Sequence, residues 1–142
     1  MNKFLFTGLL VMLSLFSTTV KAQNAHEKHA DDINYVVLTR KVPQLKPILL
    51  AAEELKAQDG EKFGDFQVVV CGKAVQDLTD KETMTAFLEK AEKAGVTINA
   101  CGFSLKKFKV NKTDLPEALR VVDNGILHNF ELQKKGYLSI EL

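Results

Sequence analysis

Tryptophan is absent from the 142 residues, proline occurs three times and cysteine twice. Two cysteines cannot build the dense disulfide framework of a small secreted scaffold. With eight glycines, three prolines and 46% apolar residues, the chain is not collagen-like, low in complexity or disordered by charge. Neither sign of charge dominates, since 19 Lys and Arg face 18 Asp and Glu. The basic excess that drives nucleic-acid binding is missing, so no nucleic-acid partner is expected. The chain also lacks a Walker loop, G-x-G-x-x-G, G-x-S-x-G and H-E-x-x-H. Nucleotide, hydrolase and zinc-protease readings lose their motif support, and no cofactor is expected. What is present is the composition of an ordinary globular protein, long enough for one domain.

The first segment reads as an address. Met1-Asn2-Lys3 precedes an uncharged stretch over residues 4–20, and Val20-Lys21-Ala22 precedes Gln23. A basic start, an apolar middle and small residues before a cut site define a secretory signal peptide, here residues 1–22. Ser14, Ser17, Thr18 and Thr19 dilute its end and leave it short for a bilayer-spanning helix. No membrane association is expected after cleavage, and no cysteine near the cut suggests a lipoprotein. Cleavage leaves 17 basic and 18 acidic residues. Export across the inner membrane, to the periplasm, places both cysteines where disulfides persist. Residues 23–32 form a polar leader. Its His26 and His29 are two ligands in a terminus, too few for a metal site, and none is expected.

From residue 33 onward strands alternate with helices. Tyr35-Val36-Val37-Leu38 is a short β-branched and aromatic run, as expected of a buried strand. Leu45, Ile48, Leu49, Ala52 and Leu55 recur at helical spacing, with Pro47 in the first turn and Gly60 beyond the end. Phe66-Gln67-Val68-Val69-Val70-Cys71 is a second strand stopped by Gly72. Thr79 and Glu82 have capping-box spacing and open a helix with Met84, Phe87, Leu88, Ala91 and Ala94 inside and Gly95 at its end. Residues 96–101 are a third strand, 104–108 a short helix, and Asp114-Leu115-Pro116 a turn. Residues 119–122 form a fourth strand, broken by Asp123-Asn124-Gly125. A helix over 126–135, stopped by Gly136, leads to a last strand over 137–140. Such alternation implies right-handed crossovers. Residues 33–142 are therefore expected to form one three-layer α/β/α sandwich around a mainly parallel sheet of about five strands.

Ligands of open parallel sheets bind beyond the carboxyl ends of the strands. Arg40 and Lys41 follow the first strand, Cys71 ends the second, Cys101 ends the third, and Asp123 and Asn124 follow the fourth. Cys101 precedes Gly102 and a short helix carrying Lys106 and Lys107. A helix N-terminus and nearby ammonium groups favour thiolate, the form that attacks sulfane sulfur and disulfides. Burial as a small side chain at a strand end is the competing reading. If the second and third strands are neighbours, equivalent Cα atoms lie about 5 Å apart, within disulfide reach. A bond there would stabilise by roughly 3–4 kcal/mol in the chain-entropy view. An intervening strand would widen the gap to about 10 Å and forbid the bond. His128 reads as a packing or exposed residue of the last helix. Arg40 and Lys41 are candidates for holding an anionic sulfur donor.

Ala100-Cys101-Gly102-Phe103-Ser104-Leu105-Lys106-Lys107 resembles the A-C-x-x-[ST]-L-[KR] stretch of DsrE/DsrF-like proteins. Val68-Val69-Val70 with Gly72-Lys73-Ala74-Val75, and Gly125-Ile126 through Gly136-Tyr137, extend the similarity over almost all of residues 33–142. The resemblance implies a three-layer α/β domain that assembles as a homotrimer or homohexamer. It also implies that Cys101 carries a persulfide, taken from a small sulfane-sulfur donor and delivered to an acceptor protein thiol. The characterised relay members are cytoplasmic, and the Cys71 position is often His or another polar residue in similar proteins. The expectation is an exported, sulfurtransferase-like sulfur carrier acting through Cys101, with Cys71 as a possible second thiol. The alternatives are a non-catalytic binding or assembly module and a thiol–disulfide protein using Cys71 and Cys101.

Overall fold

A computed structural model describes residues 31–142; the expected signal peptide, His26 and His29 lie outside the described residues. The strands are β1 (Ile33–Thr39), β2 (Phe63–Val70), β3 (Val96–Cys101), β4 (Arg120–Val122) and β5 (Leu138–Glu141). Between them run α1 (Leu45–Asp59), α2 (Lys81–Ala94), α3 (Gly102–Lys107) and α4 (Gly125–Lys134). Every pairing is parallel, in the order β4-β3-β2-β1-β5. The fold is a three-layer α/β/α sandwich with five strands. Among the described residues no helix is long and apolar enough to cross a membrane.

Val68, Val69 and Val70 are completely buried, as an unbroken apolar run in a central strand must be. Alternation assigns the faces, because side chains at paired positions of parallel strands project the same way. Val37, Val68, Val70, Ile98 and Ala100 face α1 and α2 and share a large core with Leu45, Leu49 and Met84. Val36, Leu38, Val69, Cys71 and Cys101 face α4 and share a smaller core with Leu132 and Tyr137.

Pro47 lies in the first turn of α1, where its missing N–H has no intrahelical partner to lose. At the other end of that helix, Asp59 accepts a 2.5 Å hydrogen bond from the Tyr35 hydroxyl. Burial and the Asp59 carboxylate together push the Tyr35 phenol up to about 12. The helix is thereby tied to β1 through a neutral phenol.

A polar chain crosses the smaller face. Tyr137 donates to Asp65 Oδ2 at 2.6 Å, and Gln67 Nε2 donates to the same oxygen at 2.7 Å. The Gln67 amide oxygen then faces Asn99 Nδ2 at 3.2 Å and His128 Nε2 at 2.8 Å, so His128 donates through Nε2. His128 thus anchors α4 to the sheet, in keeping with the packing role its position suggests. On the α1 side, no helix among the described residues covers β5. Leu138 and Ile140 are 59% and 57% exposed beside a groove of about 420 Å³ that runs along α1.

The expected cap of α2 is displaced by one residue. Thr79 belongs to a preceding 3₁₀ turn, Asp77–Thr79, and its hydroxyl donates back to Gln76 O at 2.8 Å. Asp80 therefore takes the cap, accepting from Thr83 N at 3.2 Å and from the Thr83 hydroxyl at 2.7 Å. These two bonds hold the Asp80 carboxyl below its ordinary value. The short helix after β3 likewise begins at Gly102 rather than at residue 104. Asp80→Ala is expected to lower the urea midpoint at neutral pH, while Thr79→Ala leaves it nearly unchanged. Because the folded-state value is depressed, the Asp80 contribution is complete above the unfolded-chain value and fades as pH falls through the folded one. The gap between wild type and Asp80→Ala should close in acid; equal effects of the two substitutions would restore the Thr79 cap.

Candidate functional site

Strand order decides what the two cysteines can do. β2 and β3 are neighbours, with Val70 opposite Ala100. Cys71 continues the ladder by donating its N–H to Thr39 O at 2.9 Å, which sets it beside Cys101. Both thiols are free, both face α4, and they are 6% and 3% exposed. The sequence leads one to expect a Cys101 sulfur open at the sheet rim. It is covered instead, because the first turn of α4 descends onto the strand ends.

That descent requires Gly125. A Cβ at this position would overlap Cys71 Sγ, lie 2.8 Å from Val69 Cγ1 and 3.2 Å from Cys101 Cβ. The bare backbone lets Gly125 N–H donate to Cys101 Sγ at 3.2 Å. Asn124 fixes the turn by accepting from Ile126 N and Leu127 N at 3.0 and 3.3 Å. Gly102 admits the same segment from the other side, since a Cβ there would lie 2.9 Å from Val122 O. Phe103 N donates to Asp123 O at 2.8 Å and closes that junction.

The surroundings of the two sulfurs are unequal. Burial acts most strongly on Cys101 and raises its pKa. The Ser104 hydroxyl, the N–H groups of Gly125 and Ser104, and the Cys71 thiol together outweigh it and hold Cys101 below the ordinary thiol value. Ser104 Oγ accepts from Gly72 N at 2.9 Å, which leaves its hydrogen for the sulfur. Cys71 moves the other way. Burial first, then negative charge on Cys101 and the hydrogen bond between the sulfurs, push the Cys71 thiol up to about 12. The pair is therefore built for one thiolate and one thiol.

The groups that favour the thiolate are neutral, not the expected ammonium groups. Lys106 and Lys107 lie in the last turn of α3, with Lys107 Nζ 5.8 Å from the Phe108 ring centroid. Arg40 reaches the neighbourhood, where it slightly favours the Cys71 thiolate and Glu141 opposes it. Its guanidinium is bound to Glu141 Oε1 at 2.9 Å in an exposed pair, of a kind that contributes little to stability. Lys41 is exposed and does not join the cluster. Ser104 and Gly125 are the functional candidates that sequence reasoning missed. The Ser104 signal was its place three residues after Cys101, at the third position of α3.

Two cavities flank the pair at one side chain's remove. Leu38 belongs to the cysteine cluster and also lines a cavity of about 230 Å³ with Arg40, Phe130 and Glu141. Val122 packs on the same cluster and lines a cavity of about 370 Å³ with Asp123, Leu127 and His128. Among the described residues no three His, Cys, Asp or Glu side chains are grouped to hold a metal ion. Gly125→Ala is expected to destabilise by about 1–3 kcal/mol through overpacking in denaturant titration. It should also accelerate native alkylation of Cys101 by lifting the turn. An unchanged midpoint and labelling rate would mean that the first turn of α4 does not cover the thiols.

No family model and no curated protein matches the chain. Solved structures do. A protein of unknown function from Methanobacterium thermoautotrophicum, MTH1491, superposes with a TM-score of 0.61 at 22% identity, over 78% of this chain and 100% of its own. A conserved protein of unknown function from Bacteroides thetaiotaomicron, BT1422, gives 0.60 at 16% identity, over 77% and 94%. The chain shares its α/β fold with proteins whose activities are not described.

Proposed function

We propose that the chain is an exported DsrE-like sulfur carrier that holds a persulfide on Cys101. The observation that carries this reading is the set of neutral donors around one buried sulfur: the Ser104 hydroxyl, Gly125 N–H and the Cys71 thiol. Such donors stabilise a sulfur anion without an ion pair, and the thiolate they favour is the form that takes up sulfane sulfur. The Cys101 thiolate attacks the outer sulfur of a sulfane donor. The donor's S–S bond breaks, its remainder leaves with the electron pair, and Cys101–S–S⁻ remains. An acceptor protein thiolate then takes the terminal sulfur and returns Cys101 to thiolate. The resemblance around Cys101 supports the family, and the shared fold is compatible with it.

Burial restricts the donor to small molecules such as polysulfide or thiosulfate, entering through either flanking cavity when Leu38, Val122 or the first turn of α4 moves aside. Arg40 stands at the mouth of the smaller cavity and attracts an anion once its pair with Glu141 opens. Lys41 adds positive charge to the same end of β1 without lining the cavity. Self-association as a homotrimer or homohexamer belongs to this reading, and the exposed Leu138 and Ile140 beside α1 supply apolar surface for it. Light scattering should give three or six times the chain mass; a monomer would remove the assembly.

A second reading, a binding module in which the thiols merely pack, is favoured by their low exposure. Mass spectrometry after incubation with polysulfide separates the two. One added sulfur on Cys101, absent from Cys101→Ser, supports the carrier; no addition supports the module. The pH profile adds a physical check. Native alkylation of Cys101 should reach half its plateau below the ordinary thiol value of 9.0, while Cys71 stays unlabelled until far higher pH. Ser104→Ala should move the Cys101 midpoint upward and slow labelling several-fold at neutral pH. An unmoved midpoint would dismiss the hydroxyl as a donor.

A further inference from the structure

We infer that Cys71 is the resolving thiol of this site: it attacks the persulfide on Cys101, expels the terminal sulfur as hydrosulfide and closes a Cys71–Cys101 disulfide. The inference rests on the carrier reading and adds a second fate for the bound sulfur.

The geometry comes from the sheet. Cys71 and Cys101 occupy matched levels of adjacent parallel strands, one step beyond the Val70–Ala100 pair. Adjacent strands lie about 4.8 Å apart, inside the Cα range of roughly 4.4–6.8 Å that a disulfide needs. The Cys71 backbone is held in the ladder by Thr39 O. Gly125 closes over both side chains, and its missing Cβ is the space into which Cys71 Sγ fits. The sequence contains just these two cysteines, so no other thiol of the chain competes.

The step balances without another reactant. The Cys71 Sγ–Cys101 Sγ bond forms and the bond from Cys101 Sγ to the terminal sulfur breaks. Cys71 is oxidised, the sulfane sulfur is reduced to sulfide, and the proton of Cys71 leaves with it as hydrosulfide. An external dithiol then reduces the disulfide and resets the pair. Because Cys71 holds its proton tightly in a buried position, its attack is slow near neutrality, so an acceptor thiol that reaches the persulfide first still takes the sulfur. Without an acceptor, the chain discharges itself.

The test uses anaerobic, pre-reduced protein pulsed with inorganic polysulfide, desalted and sampled over time. Intact mass, non-reducing peptide mapping and a sulfide assay follow the products. Wild type should lose its Cys101 persulfide while gaining a Cys71–Cys101 disulfide and one equivalent of sulfide. The rate should change little with pH while Cys71 is a thiol and the persulfide an anion, because the proton that Cys71 gives up is the one the departing sulfide takes. Cys71→Ser and Cys71→Ala, checked for folding by circular dichroism, should keep the persulfide at least about tenfold longer. Wild-type persulfide as durable as that of both variants, with no disulfide, overturns the resolving role and leaves the carrier intact. No persulfide on any form overturns both. Should the variants fail to fold, coupled disulfide and sulfide formation in wild type still decides the matter.

Discussion

The close approach of one glycine to two sulfurs organises this end of the molecule. The α4 backbone descends onto β2 and β3 at Gly125, a distance no other residue permits without displacing Cys71 or Val69. That contact supplies a hydrogen-bond donor to Cys101 and seals the pair from solvent. Activation and concealment therefore share one cause. Moving the turn outward exposes the sulfur and at the same time removes a group that favours its anion. Any chemistry here is consequently gated by a segment of α4 whose next residues, Ile126 and Leu127, are half exposed.

The sheet explains why the pair is asymmetric. Cys101 ends β3 directly before α3, so Ser104 returns to it within one turn. Cys71 follows β2 directly and precedes a 3₁₀ turn, Gly72–Val75, whose first N–H is committed to Ser104 Oγ. The same hydroxyl thus accepts from the β2 side and donates toward the β3 side. One thiol gains donors while its neighbour gains burial and an adjacent negative charge. Two residues with the same intrinsic acidity are separated by topology alone.

Much of this architecture is written locally. The β-branched run at Val68-Val69-Val70 and the bounds of β3 at residues 96–101 follow from periodicity and flanking glycines. The α2 cap was misplaced by one residue because a 3₁₀ turn had already committed the Thr79 hydroxyl, which spacing rules do not register. Strand order was not legible, since it depends on which crossover packs on which face. Cys101 was legible from its place at a strand end. Its covering was not, because the covering residue lies 24 positions away and reads locally as a turn signal. The nearby lysines suggested charge as the source of thiolate character, whereas the fold provides it through uncharged donors.

Neutral stabilisation of a buried anion has a chemical consequence. The neutral donors that lower the Cys101 pKa enlarge the thiolate fraction near neutrality at some loss of intrinsic nucleophilicity. The closed site favours small sulfane species as donors, whereas a second protein's sulfur reaches Cys101 only once the α4 turn has moved aside. On the carrier reading, a terminal sulfur on Cys101 would be shielded from water and from stray thiols by Leu38, Val122 and the α4 turn. Concealment, which at first argues against chemistry at Cys101, is what a persulfide needs if it is to outlast its formation. On the proposed reading, the adjacent Cys71 would set the limit on that lifetime from inside the same cover.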